Sequence, residues 1–261
     1  METFKTIEFE RAESIINIRL NRPDAANGMN TRMAAELKQA AMRCDNDARV
    51  KAVVLSASGR FFCAGGDIKE FAAQGDDIGS GVKGLADDLH AAISTFSRMN
   101  AAFIVAVNGI AAGAGFSLAM AADLVLAGQS ASFTMAYTRA GLCPDGSSSY
   151  FLPRLIGLRK TQQLMLTNNT LSAAQAFDLG LVTQVVADDQ LPLECQQLAE
   201  QLAKGSLNSI AAVKKLLLCS FNNSLETQME LEGRSVAQCA ASPDGREGIS
   251  AFIEKRTPTF K

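Results

Sequence analysis

The sequence is poor in the residues that most often build metal centres and disulfide frameworks. Its 261 residues include one histidine, no tryptophan and six cysteines, and no two cysteines form a Cys-x-x-Cys pair. Scattered cysteines in apolar surroundings indicate reduced thiols and a cytoplasmic protein. A zinc site needs more histidine or paired cysteine ligands than this chain offers, so we expect no bound metal.

A strong charge excess and long apolar runs are also missing. The chain has 25 Lys and Arg against 27 Asp and Glu, a net charge of −2, which leaves no basic footprint for nucleic acid or an anionic membrane. It has no run of 18 apolar residues, and its ends resemble neither a signal or transit peptide nor a peroxisomal address. With 48% hydrophobic residues it can bury the core of one large domain, or a core with a helical appendix.

Short β-type runs alternate with helical patterns, which is typical of parallel strands joined by helical crossovers. The predicted strands cover residues 15–20, 50–55, 103–107, 123–127 and 181–186, and amphipathic helices are predicted over 31–44 and 84–100. A glycine-rich acidic stretch at 74–81 predicts a mobile loop. From about residue 191 helix follows helix, which predicts an α/β core over 1–198 and a helical region over 199–261.

Two glycine-bearing turns follow apolar runs, and each precedes a helical pattern. They are FCAGGD at 62–67 and NGIAAGAG at 108–115. Small residues let a ligand approach the main chain, and the first N–H groups of a helix lack partners. If the two turns meet, two N–H groups can hold one oxygen atom that gains negative charge. A tight connection between strand and helix is the other interpretation of each turn.

These stretches resemble the signatures of the crotonase (enoyl-CoA hydratase/isomerase) family. The resemblance rests on CAGGDIKEF at 63–71 and on IVAVNGIAAGAG and SLAMAADLVLA between 104 and 127, and it extends from LNRPDAANGMN at 20–30 to EGISAFIEKRTPTF at 247–260. It implies an α/β protein of the crotonase, or ClpP-like, fold, with a spiral core of repeated ββα units. It also implies a helical C-terminal region that assembles a homotrimer or a dimer of trimers.

The same resemblance implies an acyl-CoA thioester as substrate, with coenzyme A entering as part of it and no separate cofactor. The thioester carbonyl would lie in an oxyanion hole formed by the backbone N–H groups of Gly66 and Ala114. The family usually has glycine at the second position, and Ala114 still carries the N–H that the role needs.

Hydratases of this family use two glutamates, and the resemblance places Ser117 and Tyr137 at their positions. A hydroxyl group titrates far too high to replace a carboxylate base near neutral pH. Hydration by the two-glutamate route is therefore not expected.

Asp145, in the LCPDG stretch at 142–146, is the carboxylate that remains. Pro-Asp-Gly is a common turn sequence, so a structural role is one interpretation. Members of the family that move double bonds within an acyl-CoA are similar in carrying an aspartate in a GLxPD context. One carboxylate can remove a proton beside a polarised thioester and return it elsewhere. We therefore expect Asp145 to be the acid/base of an isomerase.

His90 lies at the edge of the apolar stripe of the helix predicted over 84–100, where a lone histidine is most often a packing residue. The 4-chlorobenzoyl-CoA dehalogenases are similar in having a histidine on this helix and an aspartate nucleophile at the position of Asp145. That resemblance implies attack by Asp145 on the aromatic ring and hydrolysis of the resulting ester by water that His90 activates. The chain departs from them in carrying Tyr137 where they have tryptophan.

Other classes of function fit the sequence less well. A dinucleotide fingerprint starting at Gly113 would need its third glycine at Leu118, and a nucleophile elbow around Ser117 would need a histidine later in the chain. A non-catalytic relative, such as a scaffold, stays open because both glutamates are absent.

The resemblance also implies which residues contact coenzyme A. The turn after the first predicted strand, the first glycine turn and the C-terminal helix would supply Asp24, Ala25, Ala26, Ala64, Asp67, Ile68, Lys69, Phe252 and Lys255. For Lys255 a solvated charged end is the other interpretation.

Overall fold

The computed structural model describes residues 4–260. Its strands are β1 (Ile7–Ala12), β2 (Ile15–Leu20), β3 (Ala52–Ala57), β4 (Phe61–Cys63), β5 (Ala102–Val107), β6 (Ile110–Ala112), β7 (Leu124–Gly128), β8 (Ser132–Thr134), β9 (Leu171–Ser172) and β10 (Gln184–Val186). Its helices are α1 (Thr31–Asp45), α2 (Ile68–Ala73), α3 (Ile78–Arg98), α4 (Ala114–Met120), α5 (Ser148–Thr167), α6 (Ala173–Asp178), α7 (Leu191–Ala203), α8 (Leu207–Ser220), α9 (Leu225–Ala241) and α10 (Pro243–Glu254).

The strands form two sheets. The larger has the order β1-β2-β3-β5-β7-β10 and is parallel except for the β1–β2 pair, and the smaller has the order β4-β6-β8-β9. A strand of the larger sheet, a strand of the smaller sheet and a helix recur in sequence as β3–β4–α2, β5–β6–α4 and β7–β8–α5. This repetition confirms the predicted α/β spiral of ββα units.

The strand predictions missed the smaller sheet and the edge strand β1 of the larger one. All five predicted strands correspond to strands of the larger sheet, whereas β4, β6, β8 and β9 have only two or three residues each. Such short segments carry no readable alternation of apolar and polar residues. The glycine turns consequently follow β4 and β6, and do not follow β3 and β5 directly as the sequence predicted.

Helix α3 begins earlier than predicted and packs against α1. The loop predicted over 74–81 is therefore wrong from Ile78 onward, where the chain is already helical, although a 3₁₀ turn precedes it at Gly75–Asp77. The three glycines of this stretch suggested a loop, but the apolar stripe of the helix extends back to Val82, which packs against the core. Tertiary packing of that stripe outweighs the low helix propensity of glycine.

The C-terminal third is helical, as the sequence predicts. Helix α7 covers the larger sheet, where Leu191, Cys195 and Ala199 are buried against strand residues. The predicted boundary between 198 and 199 falls inside this helix, and the division of the chain into two domains stays a prediction. Within residues 4–260, none of the helices has the length and hydropathy to cross a membrane.

One buried carboxylate ties the segment before β1 to helix α1. Glu36 on α1 accepts hydrogen bonds from the backbone N–H groups of Lys5 (3.0 Å) and Thr6 (2.8 Å) and from the Thr6 hydroxyl (2.5 Å). Burial by itself would raise the pKa of Glu36, but these donors favour the ionised form and hold the pKa below its ordinary value of 4.5. The charged form of Glu36 thus stabilises the native state.

We expect Glu36→Gln to lower the free energy of unfolding by about 2 kcal/mol at pH 7, since hydrogen bonds to a buried charge are lost. Because the folded-state pKa is lowered, this stabilisation is complete above the unfolded-state pKa and disappears as the pH falls through the folded-state value. Urea denaturation at pH 7 and pH 3.5 measures both effects. Glu230→Gln on the exposed face of α9 is the matched control. The prediction would be contradicted if the loss of unfolding free energy in Glu36→Gln were as large at pH 3.5 as at pH 7.

Candidate active site

The two glycine turns are in contact. Strands β4 and β6 are parallel neighbours, with Cys63 paired to Ala111, so the turns after them leave the same edge of the smaller sheet. Gly65 and Gly113 have φ angles of 100° and 50°, which favour glycine. A Cβ atom on Gly113 would lie 3.4 Å from the Cα atom of Gly65. This contact brings together the two turns that the sequence singled out.

Gly66 and Ala114 lie just after these two glycines. Ala114 is the first residue of α4, so its N–H has no acceptor within the helix. Neither this N–H nor that of Gly66 donates to a protein acceptor within residues 4–260. The ring of Phe71 lies directly beneath Gly66, where a Cβ atom would come within 2.7 Å of two ring atoms. Neither amide therefore has a protein acceptor, and their joint role as an oxyanion hole stays a prediction.

Gly115 fixes the start of α4 against the end of β4. A Cβ atom at this position would lie 2.4 Å from the carbonyl oxygen of Cys63. Any side chain here would push the helix, and with it the Ala114 amide, away from the first turn. Gly115 is thus a structural requirement of the second turn.

Asp145 lies in a tight turn before helix α5. The turn continues through Gly146 and Ser147, both with φ near 60°, and the Asp145 carbonyl accepts from the hydroxyl (2.9 Å) and the N–H (3.3 Å) of Ser148. The side chain of Asp145 is 30% exposed. The backbone of this residue makes the turn, and its carboxylate is left for other partners.

Tyr137 holds that carboxylate. Its hydroxyl donates to Asp145 Oδ1 at 2.5 Å. Burial raises the pKa of Tyr137, and the nearby Asp145 charge raises it further, so the phenol stays protonated and acts as a donor. The Tyr137 ring also borders the second glycine turn, because a Cβ atom on Gly113 would lie 3.8 Å from Cε2. Tyr137 therefore joins the carboxylate to the turn that carries Ala114.

His90 faces the same carboxylate from helix α3. Its Nε2 atom lies 3.4 Å from Asp145 Oδ2 and accepts a hydrogen bond from the N–H of Gly146 at 3.1 Å. The side chain is 47% exposed. His90 is thus half-exposed, and its Nε2 lone pair is engaged with the turn that carries Asp145. Whether it only packs there or takes part in chemistry stays a prediction.

Ser117 is a polar member of this cluster that the sequence did not assign a role. It is fully buried on α4, and its hydroxyl lies 3.2 Å from the carbonyl oxygen of Gly113 and 3.3 Å from the Tyr137 hydroxyl. The resemblance to the hydratases placed Ser117 at the position of one of their glutamates, but it gave the hydroxyl no role of its own.

The predicted coenzyme A segments also lie side by side. The N–H of Ala64 donates to the Ala26 carbonyl (3.1 Å), which joins the 24–26 turn to the first glycine turn. Asp24, Ala25 and Ala64 are exposed, as are Ile68 and Lys69 on α2. These residues form one accessible surface, and their contacts with coenzyme A stay a prediction.

The Asp67 carboxylate has internal partners at this surface. It accepts from Arg22 (2.9 Å) and caps α2 through the N–H of Glu70 (3.3 Å). Burial opposes ionisation, but these donors prevail and lower the pKa of Asp67. Arg22, which the sequence did not single out, therefore braces the first turn. The Asp67 backbone is engaged as well, since its N–H donates to the Met29 carbonyl at 2.8 Å.

Phe252 and Lys255 lie apart from this surface. Phe252 is on α10 and 86% exposed, Lys255 caps the same helix, and α10 packs against α9. No hydrogen bond or ion pair within residues 4–260 joins either residue to the 64–69 segment. The contact of these two residues with coenzyme A stays a prediction.

A separate apolar cavity of about 610 Å³ lies between α5 and α8. Its lining includes Phe151, Leu155, Val213 and Leu217, and the ion pair of Lys214 with Asp123 lies at its wall. It shares no residue with the Asp145 cluster, so it is not part of the candidate active site.

Comparisons with known proteins agree with this fold. The family model described as enoyl-CoA hydratase/isomerase matches residues 10–261. A probable enoyl-CoA hydratase of Rhodobacter capsulatus is 38% identical over 99% of this chain and 98% of its own length. The 1,2-epoxyphenylacetyl-CoA isomerase of Escherichia coli is 35% identical over 95% of both chains. The crystal structure of an enoyl-CoA hydratase from Polaromonas sp. JS666 superposes with a TM-score of 0.93 at 31% identity, over 98% of this chain and 99% of that one. The chain therefore belongs to the enoyl-CoA hydratase/isomerase family and has the crotonase fold.

Proposed function

We propose that the protein isomerises a double bond within an acyl-CoA, with Asp145 as the single acid/base. The observation that carries the proposal is the Asp145 carboxylate, partly exposed, held by Tyr137 and joined through that residue to the glycine turn that carries Ala114. In a 3-enoyl-CoA, Asp145 would remove a proton from C2, and the negative charge would move to the thioester oxygen between the Gly66 and Ala114 amides. Return of the proton to C4 gives the 2-enoyl-CoA.

The residues at positions 117 and 137 support isomerisation over hydration. Both carry hydroxyl groups, and neither can take a proton from water near neutral pH. Some relatives have hydratase names, but one relative is named as an isomerase of a CoA thioester. One carboxylate suffices for a reaction in which the same proton leaves and returns, whereas the addition of water by the two-glutamate route needs two.

A second candidate is hydrolytic dehalogenation of an aromatic acyl-CoA. The approach of His90 Nε2 to within 3.4 Å of Asp145 favours it, because a nucleophile and a base would then lie together. The hydrogen bond that Nε2 accepts from Gly146 argues against it, since that lone pair would have to activate water.

The test is a panel of substrates with the purified full chain. We expect conversion of 3-enoyl-CoA to 2-enoyl-CoA, little hydration of 2-enoyl-CoA and no halide release from 4-chlorobenzoyl-CoA. Halide release without isomerisation would replace the first candidate by the second. Calorimetric binding of these thioesters with no turnover of any would favour a non-catalytic relative, and no binding at all would remove the acyl-CoA proposal.

We also expect a homotrimer or a dimer of trimers. Large apolar side chains on the C-terminal helices are exposed in the single chain, among them Leu217, Phe221, Val236, Phe252 and Ile253. Such a surface is rarely left uncovered in a monomer. Multi-angle light scattering should give three or six times the chain mass of 27.7 kDa, and a stable monomer at micromolar concentration would contradict this.

A further inference from the structure

The carbonyl of Gly113 and the N–H of Ala114 are the two ends of one peptide group. The carbonyl oxygen accepts from the backbone N–H of Ser117 at 3.0 Å and lies 3.2 Å from the Ser117 hydroxyl. Hydrogen bonds to a peptide carbonyl polarise the group and make its N–H a stronger donor. The Ser117 hydroxyl thus acts on the proposed oxyanion donor from the opposite end of the same peptide.

The Ser117 hydroxyl has a competing acceptor. It lies 3.3 Å from the Tyr137 hydroxyl, which in turn donates to Asp145 Oδ1 at 2.5 Å. Each hydroxyl has one proton. While Asp145 is ionised, the Tyr137 proton points to the carboxylate, and the Tyr137 oxygen competes with Gly113 for the Ser117 proton. Once Asp145 is protonated, the Tyr137 hydroxyl is free to turn toward Ser117, and the Ser117 proton then belongs to Gly113 alone.

We propose that Ser117 and Tyr137 are positioning residues that couple the protonation of Asp145 to the donor strength of the Ala114 amide. The proposal rests on the isomerase function proposed above and deepens it. The oxyanion donor becomes stronger when the substrate proton is on Asp145, which is when the thioester oxygen carries its charge. Only hydroxyl rotation is involved, because the raised pKa of Tyr137 keeps its proton in place. Burial of Ser117 excludes water from the chain of hydrogen bonds.

The experiment uses 2,4-hexadienoyl-CoA as the probe, because polarisation of its conjugated carbonyl moves its absorption band to longer wavelength. Ser117→Ala should reduce the shift of the bound probe, since Gly113 loses a donor. Tyr137→Phe should increase it, since Ser117 loses the competing acceptor. The double variant should match Ser117→Ala. If Ser117 and Tyr137 had only a structural role, the two single variants would not shift the absorption band in opposite directions. The double variant would then also have no reason to match Ser117→Ala.

Turnover gives a second readout. Ser117→Ala should lower kcat for 3-enoyl-CoA about two- to eightfold. This is expected if an oxyanion-hole donor that accelerates the reaction by a factor of about 10² to 10³ loses about 10–30% of its stabilisation free energy. KM should change less than kcat. Ser117→Cys restores the side-chain volume with a weak donor and should resemble Ser117→Ala. Matched controls are Ser97→Ala, which removes a hydroxyl 3.3 Å from the Ala121 carbonyl, and Tyr150→Phe, which removes one 3.1 Å from the Leu218 carbonyl.

The coupling would be overturned if Ser117→Ala and Tyr137→Phe shifted the band in the same direction, or if Ser97→Ala and Tyr150→Phe changed the band and kcat as much as they do. Either result would leave the isomerase proposal intact. A wild-type protein that binds the probe without any band shift would overturn the oxyanion hole as well. Wild-type isomerase activity that survives Asp145→Asn would remove the proposed function, and the coupling with it.

Discussion

Asp145→Asn is expected to lower the turnover number for 3-enoyl-CoA by a factor of about 10² to 10⁴, the usual contribution of a positioned general base. Thioester binding should change little, because the Gly66 and Ala114 amides belong to other segments. The turn should survive, since the Asp145 carbonyl and not its side chain holds Ser148. The lost activity can then be assigned to the carboxylate. Steady-state kinetics and calorimetry with the same substrate measure the two effects separately.

Two controls make this result specific. Asp88→Asn changes an aspartate on the same helix as His90 that pairs with Lys38 at 2.6 Å, and it should retain activity. His90→Gln should retain isomerase activity if Asp145 acts alone. Halide release that requires both Asp145 and His90 would favour the dehalogenase, and full activity of Asp145→Asn would leave the Pro-Asp-Gly turn with a structural role only.

The second large effect is expected at the ion pair that anchors helix α8. Lys214 Nζ lies 2.7 Å from Asp123 Oδ2 and donates to the carbonyls of Ala101 (2.7 Å) and Phe96 (3.2 Å). The Lys214 side chain is only 7% exposed, whereas that of Asp123 is 29% exposed at the cavity wall. Burial lowers the pKa of Lys214 against the opposing effect of Asp123. The buried ammonium group of Lys214 is therefore stabilised by the ion pair more than the partly exposed carboxylate of Asp123 is.

Asp123→Ala should therefore lower the free energy of unfolding by about 3–5 kcal/mol, because it leaves a buried ammonium group without its anion. Lys214→Met should cost less, since the remaining Asp123 carboxylate is partly exposed and still accepts a hydrogen bond from the backbone N–H of Phe103 at 2.7 Å. Guanidinium denaturation at one fixed protein concentration measures both, which matters for a chain expected to form oligomers.

The double variant Asp123→Leu/Lys214→Met should be more stable than Asp123→Ala, because no buried charge remains. Asp188→Ala is the matched control. Like that of Asp123, the Asp188 carboxylate accepts a hydrogen bond from a backbone N–H, here that of Ser130 at 3.0 Å, but it forms no ion pair within residues 4–260. An equal decrease in the free energy of unfolding for Asp123→Ala and Asp188→Ala would contradict this prediction.

The sequence predicted five of the six strands of the larger sheet, the helix periodicity and the family. These depend on signals along the chain, such as the apolar stripe of α1 with Met33 and Leu37 buried, and on motifs in a fixed order. Residue type and spacing indicated the two glycine turns, and the resemblance to the crotonase family then selected Gly66, Ala114 and Asp145. The sequence could not show the smaller sheet, whose strands are too short for a pattern.

Tertiary structure decided which of these residues meet. Tyr137 and Asp145 are eight positions apart, yet their contact depends on a 3₁₀ turn and on the left-handed backbone of Gly141 that ends it. The contact of His90 with the Asp145 turn could not be predicted, because it depends on the position of α3 beside that turn. Lys214 is 91 positions from Asp123 and was not predicted at all. Periodicity and motifs record which face of an element is buried, whereas hydrogen bonds between distant side chains depend on angstrom-scale positions that only the packed chain fixes.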